Sequence, residues 1–330
     1  MNQWLKGILF VVFLGCLPAT ASAPWGFFTH RRINELAVFT LPPELFGFYK
    51  KHIEFIREHA VDPDKRRYGV KGEAERHYID IDHYCKGNPR CNPFLYVPRR
   101  WNDAVNQFSE DTLRSYGIVP WHIDQMHKRL TGAFRDRDLQ KILRLSAEIG
   151  HYIGDAHVPL HTTENYNGQL TNQKGIHGFW ESRIPELFST EYDLFVGQAY
   201  YIEGPLSTAW DVVEASHFGV DSVLSFERIL NDRFESDRKY TYEERGRVVS
   251  QVYSEEYSRA YQNMLDGQIE RRMRATILTV GSFWYTAWVD GGQPNLDNLD
   301  SLNIEVFQQE INQELDVQPD KDLGVREHDN

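Results

Sequence analysis

The chain has 330 residues and a formal charge of −12, with 41% hydrophobic and 13% aromatic residues. That composition argues against intrinsic disorder, and the acidic balance excludes a broad basic face for duplex DNA. A phosphate-bearing substrate would have to be attracted by local charge, for which bound metal is the ready source.

In chain order, Lys6 precedes an apolar run, ILFVVFLGCL, followed by PATASA, whose small-x-small ending predicts cleavage after Ala23. The run is too short to span a bilayer comfortably. Residues 1–23 therefore read as a signal peptide, and the mature chain is expected to be exported, periplasmic or secreted, with no membrane span. FLGC loosely resembles a lipobox, so lipidation at Cys16 is the lesser alternative, disfavoured by Phe13 at the first position. Removing the signal leaves Cys85 and Cys91 in CKGNPRC, a Gly/Pro/Asn loop that a disulfide can close; two free thiols in a reduced compartment are the other reading.

Residues 41–61 carry Pro near a helix start and apolar Leu45, Phe48, Phe55 and Ile56 at helical spacing. A second helix is expected from Val119 and Pro120 to Phe134. A third is expected over 138–157, with Asp138 as its cap and His151 and Asp155 beside the stripe of Ile142, Leu145, Ile149 and Ile153. Further helices are expected at 208–234, 242–265 and 268–289, the last apolar enough to be buried on most sides. Strand patterns are scarce and no Pro/Ser-rich linker divides the chain. One all-α domain over 24–290 is the simplest account. Residues 291–330 hold ten Asp/Glu and two Lys/Arg, which leaves −4 for the rest of the chain. This tail is acidic and weakly amphipathic, and it is expected to be loosely attached or disordered.

HYIGDAHVPLH places His151 and Asp155 four apart on one helix face, and Pro159 should end that helix before His161. GIHGFWESRIPEL repeats the pattern with His177 and Glu181. Upstream stand Asp62, His77, Asp80, Asp82 and His83. One such pair is weak evidence, because His-x-x-x-Asp occurs in many helices. The ordered set supplies the imidazole and carboxylate ligands that zinc favours.

Read in order, Trp25-x4-His30, Asp62-x14-His77, His151-x3-Asp155-x5-His161 and His177-x3-Glu181 resemble the zinc-dependent nucleases of the S-one/P-one type and their relatives, the zinc-dependent phospholipases C. The resemblance covers nearly the whole mature chain. It implies an all-α, single multi-helix fold with a trinuclear zinc cleft. Asp62, His77, His151 and Asp155 would hold the first zinc, and His161, His177 and Glu181 the second. Trp25, through its free amine and carbonyl, would hold the third together with His30 and a bridging Asp155. That third site requires trimming past Pro24 to Trp25. The resemblance further implies attack by a zinc-bound hydroxide, with Asp62 in the catalytic set and Lys65 as the basic residue three places after the first aspartate. Tyr78 and Asp80 would stack on and hydrogen-bond a base, although buried packing and capping explain the same letters equally well.

Asp64 fits the spacing to His77 less well and is assigned a helper or surface role. His83 and His157 are expected behind the ligands or at the surface. No function is assigned to His52, His59, His122, His127 or His217. The position of His30 favours the nucleases, while Glu181 and the short loop from His161 to His177 resemble the phospholipases. The expectation is an exported, monomeric endonuclease acting on single-stranded DNA or RNA, with 3′-nucleotidase activity in addition. The alternatives are a phospholipase C acting on lipid headgroups and a non-catalytic protein in which zinc only staples helices.

Overall fold

Two 18-residue helices joined by the pair Arg137 and Asp138 form the centre of the computed structural model, which describes residues 26–245, 248–297, 299 and 304–315. Arg137 adopts a left-handed conformation (φ 54°), which stops the first helix. The Asp138 side chain accepts a hydrogen bond from the Lys141 amide and starts the second. The result is a helical hairpin.

The longer elements run α1 (Gly26–Ala37), α2 (Pro43–Lys51), α3 (Ile53–Glu58), α4 (Val119–Asp136), α5 (Leu139–Ala156), α6 (Pro205–His217), α7 (Val220–Asn231), β1 (Tyr240–Arg245), β2 (Val248–Tyr253), α8 (Glu255–Met264), α9 (Gln268–Asp290) and α10 (Ile304–Leu315). Short helical turns fill the stretch between α3 and α4, among them Asp62–Arg66, Ala74–Arg76 and Ile81–Cys85. The chain is a mostly helical single domain. None of the described helices is long and apolar enough to cross a membrane.

One core lies among α1, α2, α3, α4, α5 and α9, with Leu45, Ile56, Leu130, Ile149, Ile277 and Trp284 at 2% exposure or less. Full burial of side chains this large contributes about 1.5–3 kcal/mol each. Some polar groups inside it are paired: Trp284 Nε1 donates to Ser146 O (3.0 Å), and Tyr49 shares a 2.8 Å hydrogen bond with the Ser146 hydroxyl. A second core gathers Phe179, Tyr257 and Tyr261, whose rings lie within 5.7 Å of the Phe179 ring. Glycines let α1 close on α5. A Cβ at Gly150 would stand 2.0 Å from Asn34 Oδ1, and one at Gly154 would stand 2.8 Å from His30 Nδ1.

Several expectations need correction. The segment 242–265 is not one helix: its first half is the antiparallel hairpin β1–β2, in register Tyr240↔Tyr253 and Tyr242↔Gln251, and only Glu255–Met264 is helical. YTYEER and VVSQVY alternate and are rich in aromatic and β-branched residues, which packs better on a pleated surface. The all-α expectation therefore holds apart from this hairpin. The stretch 208–234 breaks at Phe218 and Gly219 into α6 and α7, and 41–61 breaks at His52 into α2 and α3. The acidic tail, expected to be loose, contributes α10. Its Phe307 and Ile311 are buried, Phe307 stacks on Phe55 with ring centres 5.4 Å apart, and Glu314 pairs with Arg144 at 2.8 Å. Weak amphipathicity sufficed because the partner surface was already formed. Cys85 and Cys91 are disulfide-bonded, with Cα atoms 5.5 Å apart. The signal segment, Cys16, Pro24 and Trp25 lie outside the described residues.

Candidate metal centre

α5 is buried along its whole second half, so His151 and Asp155 point into the protein at 0% and 1% exposure rather than flanking a core stripe. The reason is α1, which covers the face that the periodicity leaves polar. Helix α5 stops at Ala156, and the turn Pro159–Thr162 carries His161 back towards Asp155. His177 and Glu181 sit on a short helix that widens into a π-type turn over Phe179–Arg183, a distortion often found where side chains are aimed at a site.

These pieces converge. His77 Nδ1 lies 2.8 Å from Asp155 Oδ2, and His151 Nε2 lies 3.3 Å from the same oxygen. The other oxygen, Oδ1, is 3.3 Å from His30 Nε2 and 3.9 Å from His161 Nε2. Glu181 is shared in the same way, with Oε1 3.4 Å from His30 Nε2 and Oε2 3.5 Å from His161 Nε2 and 2.8 Å from His177 Nε2. Four overlapping triads result: His77–His151–Asp155, His161–His177–Glu181, His30–Asp155–Glu181 and His30–Asp64–His151. Asp155 and Glu181 each face two groups.

The spacing fits metal. Zinc with nitrogen and oxygen ligands at about 2.0–2.2 Å in a tetrahedron separates neighbouring ligand atoms by roughly 3.3–3.6 Å; most of the separations above fall within a few tenths of an ångström of that range. Electrostatics agree. Burial alone would raise the Asp155 and Glu181 carboxyls, yet the surrounding imidazoles hold both well below the usual range. Burial and the neighbouring His151 push His30 down, but its contacts with Asp155 and Glu181 overcome them and raise it to about 9. His151 is likewise raised by Asp155 and Asp64 against its burial. Without metal, protons must supply the positive charge that these buried carboxylates require. A divalent cation supplies it with neutral imidazoles.

The expected ligand Asp62 is not in this cluster. It is 2% exposed, and its carboxylate is taken by His59 Nδ1 at 2.6 Å and Lys65 Nζ at 2.8 Å, which hold it below the usual range against burial. Asp64 stands in its place, with Oδ1 3.5 Å from His151 Nε2 and 3.7 Å from His77 Nδ1. Residues two apart on a helical turn project to different sides, so only one acid of Asp-Pro-Asp can reach the histidines. Counting from Asp64 shifts the register. Lys65 is tied to Asp62, and the basic residue three places beyond Asp64 is Arg67, 2% exposed with Nε and Nη1 unpaired.

Tyr78 and Asp80 are each 7% exposed. Their strand-like stretch is fixed by Val119 N–H donating to Tyr78 O (3.1 Å) and Asp80 N–H donating to Tyr116 O (2.7 Å), and Gly117 packs on the Tyr78 ring and carbonyl. Neither side chain presents an open stacking platform. His157 lies behind the cluster, with Nδ1–H donating to Ile153 O (2.8 Å), while burial and Arg272 hold its imidazole well below the ordinary value. His83 pairs with Glu164 at 3.0 Å away from the triads.

No protein-family model matches the chain, and no curated protein matches it. Among solved structures it is similar to "Alpha Toxin from Clostridium Absonum", with a TM-score of 0.43, 10% sequence identity and alignment over 84% of this chain. The aligned part spans 65% of that toxin's length.

Proposed function

We propose that the chain is a zinc-dependent hydrolase of phosphoric esters, of the phospholipase C and nuclease type, acting outside the cytoplasm after loss of its signal peptide. The observation that carries this reading is the set of five histidines and three carboxylates in overlapping triads, all buried except the half-buried Asp64. Asp64, His77, His151 and Asp155 would hold one ion, and His161, His177 and Glu181 a second. His30, Asp155 and Glu181 would hold a third, completed by Trp25 when it is the first residue. Grouped dications, when bound, neutralise the diester and make water nucleophilic near neutral pH.

The chain's own residues do the rest. Asp155 and Glu181 each turn their two oxygens to different imidazoles, so each would be shared between neighbouring ions. Hydrogen bonds from His151, His161 and His177 to main-chain carbonyls lock each ring with Nε2 turned inward. Arg67, with Nε and Nη1 unpartnered, suits an anionic oxygen better than Lys65, which is occupied by Asp62.

For the substrate, phospholipid headgroups are the better supported class. Tyr78 and Asp80, at 7% exposure each, leave little surface on which a base could stack or bond. Leu170, on the loop before His177, and Tyr242, on the hairpin that Arg183 holds through Glu243, are about 70% exposed, and exposed apolar groups of this kind suit a lipid surface. Cleavage of single-stranded nucleic acid is the second reading, favoured by the entry of His30, five residues after Trp25, into the cluster.

The test is hydrolysis by zinc-loaded protein beginning at Trp25, offered mixed micelles of phosphatidylcholine and a labelled single-stranded oligonucleotide, with a chelated control. Chelator-sensitive headgroup release is expected. Cutting of the oligonucleotide instead would establish the nuclease reading, and zinc retention with neither activity would leave a structural staple.

A further inference from the structure

Glu73 is completely buried, lies outside every triad and is four residues before His77. Its Oε1 faces His77 Nε2 at 3.7 Å and accepts a hydrogen bond from the Tyr152 hydroxyl. Its Oε2 accepts from Arg66 Nε at 2.9 Å and Arg76 Nη1 at 2.8 Å. Arg66 is itself anchored to Glu148 at 2.7 Å and to Tyr152. Three side chains, Tyr152, Arg66 and Arg76, therefore fix one carboxylate behind one imidazole.

That imidazole is turned the other way from its neighbours. His151, His161 and His177 each give Nδ1–H to a main-chain carbonyl, at 3.0, 2.6 and 3.1 Å, and turn Nε2 to the cluster. His77 turns Nδ1 to the cluster, 3.1 Å from His151 Nε2 and 2.8 Å from Asp155 Oδ2, and leaves Nε2 for Glu73. Among the described cluster histidines it is the one backed by a charge rather than a carbonyl. His77 Nε2 is buried without a hydrogen bond, and the negative charge of Glu73 3.7 Å away favours the proton on that nitrogen, so that the opposite nitrogen keeps its lone pair for a metal.

We infer that Glu73 is a positioning residue that holds His77 as the Nε2–H tautomer and strengthens it as an Nδ1 ligand, with Tyr152, Arg66 and Arg76 fixing Glu73 in turn. The inference rests on the reading of the triads as a metal centre. Its effect is confined to the ion held by Asp64, His77, His151 and Asp155.

The experiment is zinc titration of chelated full-length mature protein against a chromophoric chelator, for wild type, Glu73→Gln and Tyr152→Phe, with circular dichroism and melting as fold controls. Glu73→Gln should weaken one zinc equivalent on the order of 10- to 100-fold and leave the others unchanged. Tyr152→Phe should weaken the same equivalent less, since the carboxylate and both arginines remain. A folded Glu73→Gln that binds every equivalent as wild type does, or that only melts earlier, overturns the inference. Should Glu73→Gln fail to fold, nitrogen-15 spectra of histidine-labelled, zinc-loaded wild type decide: one ring protonated at Nε2 and metal-bound at Nδ1 is expected, and its absence overturns the proposal. A wild type that binds no zinc defeats the metal reading itself, whereas intact zinc binding with an unaffected Glu73→Gln defeats only this inference.

Discussion

Exchanging Asp62 and Asp64 one at a time separates structure from metal binding within three residues. Asp64→Asn keeps the shape but removes a negative charge that lies 3.5 Å from His151 Nε2 and 3.7 Å from His77 Nδ1. At an effective dielectric constant of about 20, a carboxylate and a dication roughly 4 Å apart attract by about 8 kcal/mol before desolvation. Survival of a fifth of that already corresponds to a more than tenfold change in affinity. Asp62→Asn removes the partner of His59 at 2.6 Å and Lys65 at 2.8 Å in a 2% exposed position, which costs about 1–3 kcal/mol and a few degrees of Tm. Paired measurements of zinc affinity and melting should show Asp64→Asn losing metal. Asp62→Asn should melt earlier yet keep its metal. The reverse pattern would refute the assignment of Asp64 and restore Asp62 as the ligand.

Arg67→Ala should lower turnover on the order of 100-fold at unchanged zinc content, with Arg67→Lys intermediate, whereas Lys65→Ala should leave turnover near wild type; steady-state kinetics with zinc analysis check all three. In the chelated protein, His30 is raised from its ordinary 6.5 to about 9, so its contribution of about 3 kcal/mol is full below pH ~6.5 and lost as pH rises through about 9. Melting of the chelated protein should therefore fall between pH 6.5 and 9.5, and a flat or rising Tm would contradict it. Gly154→Ala places a Cβ 2.8 Å from His30 Nδ1 and should destabilise by about 1–3 kcal/mol while displacing that ligand, read as lower Tm and lost zinc stoichiometry. Replacing Cys85 and Cys91 by serine opens a loop of sequence separation 6 and should reduce stability by about 2 kcal/mol in chemical denaturation, leaving zinc content intact.

The sequence was most informative where geometry is local. His151 with Asp155 and His177 with Glu181 are four apart, and a helical turn brings such pairs together whatever surrounds them. Pro159 ended α5 and the Asp138 cap began it, because capping and proline sterics act within one turn. The helical hairpin and the long buried α9 followed from apolar periodicity alone.

What depended on distant chain was not legible. Asp62 and Asp64 are equally acidic and two apart; the choice between them was made by His59 and Lys65 capturing the first and by α5 presenting His151 to the second. Glu73 carries no motif, and its role appears only once Tyr152 and His77 close around it. Tyr78 and Asp80 were covered by the Tyr116–Val119 turn, which no spacing within His-Tyr-Ile-Asp records. Residues 304–315 became α10 because Phe55 and Arg144 offered a surface to dock on. By itself the sequence determined the mostly helical class and the local pairing of imidazole with carboxylate, since both rest on contacts within a few residues. Only the tertiary structure decided which carboxylates face the histidines and which merely hold the scaffold, because a charged side chain's role is set by whichever partner folding brings within about 4 Å of it.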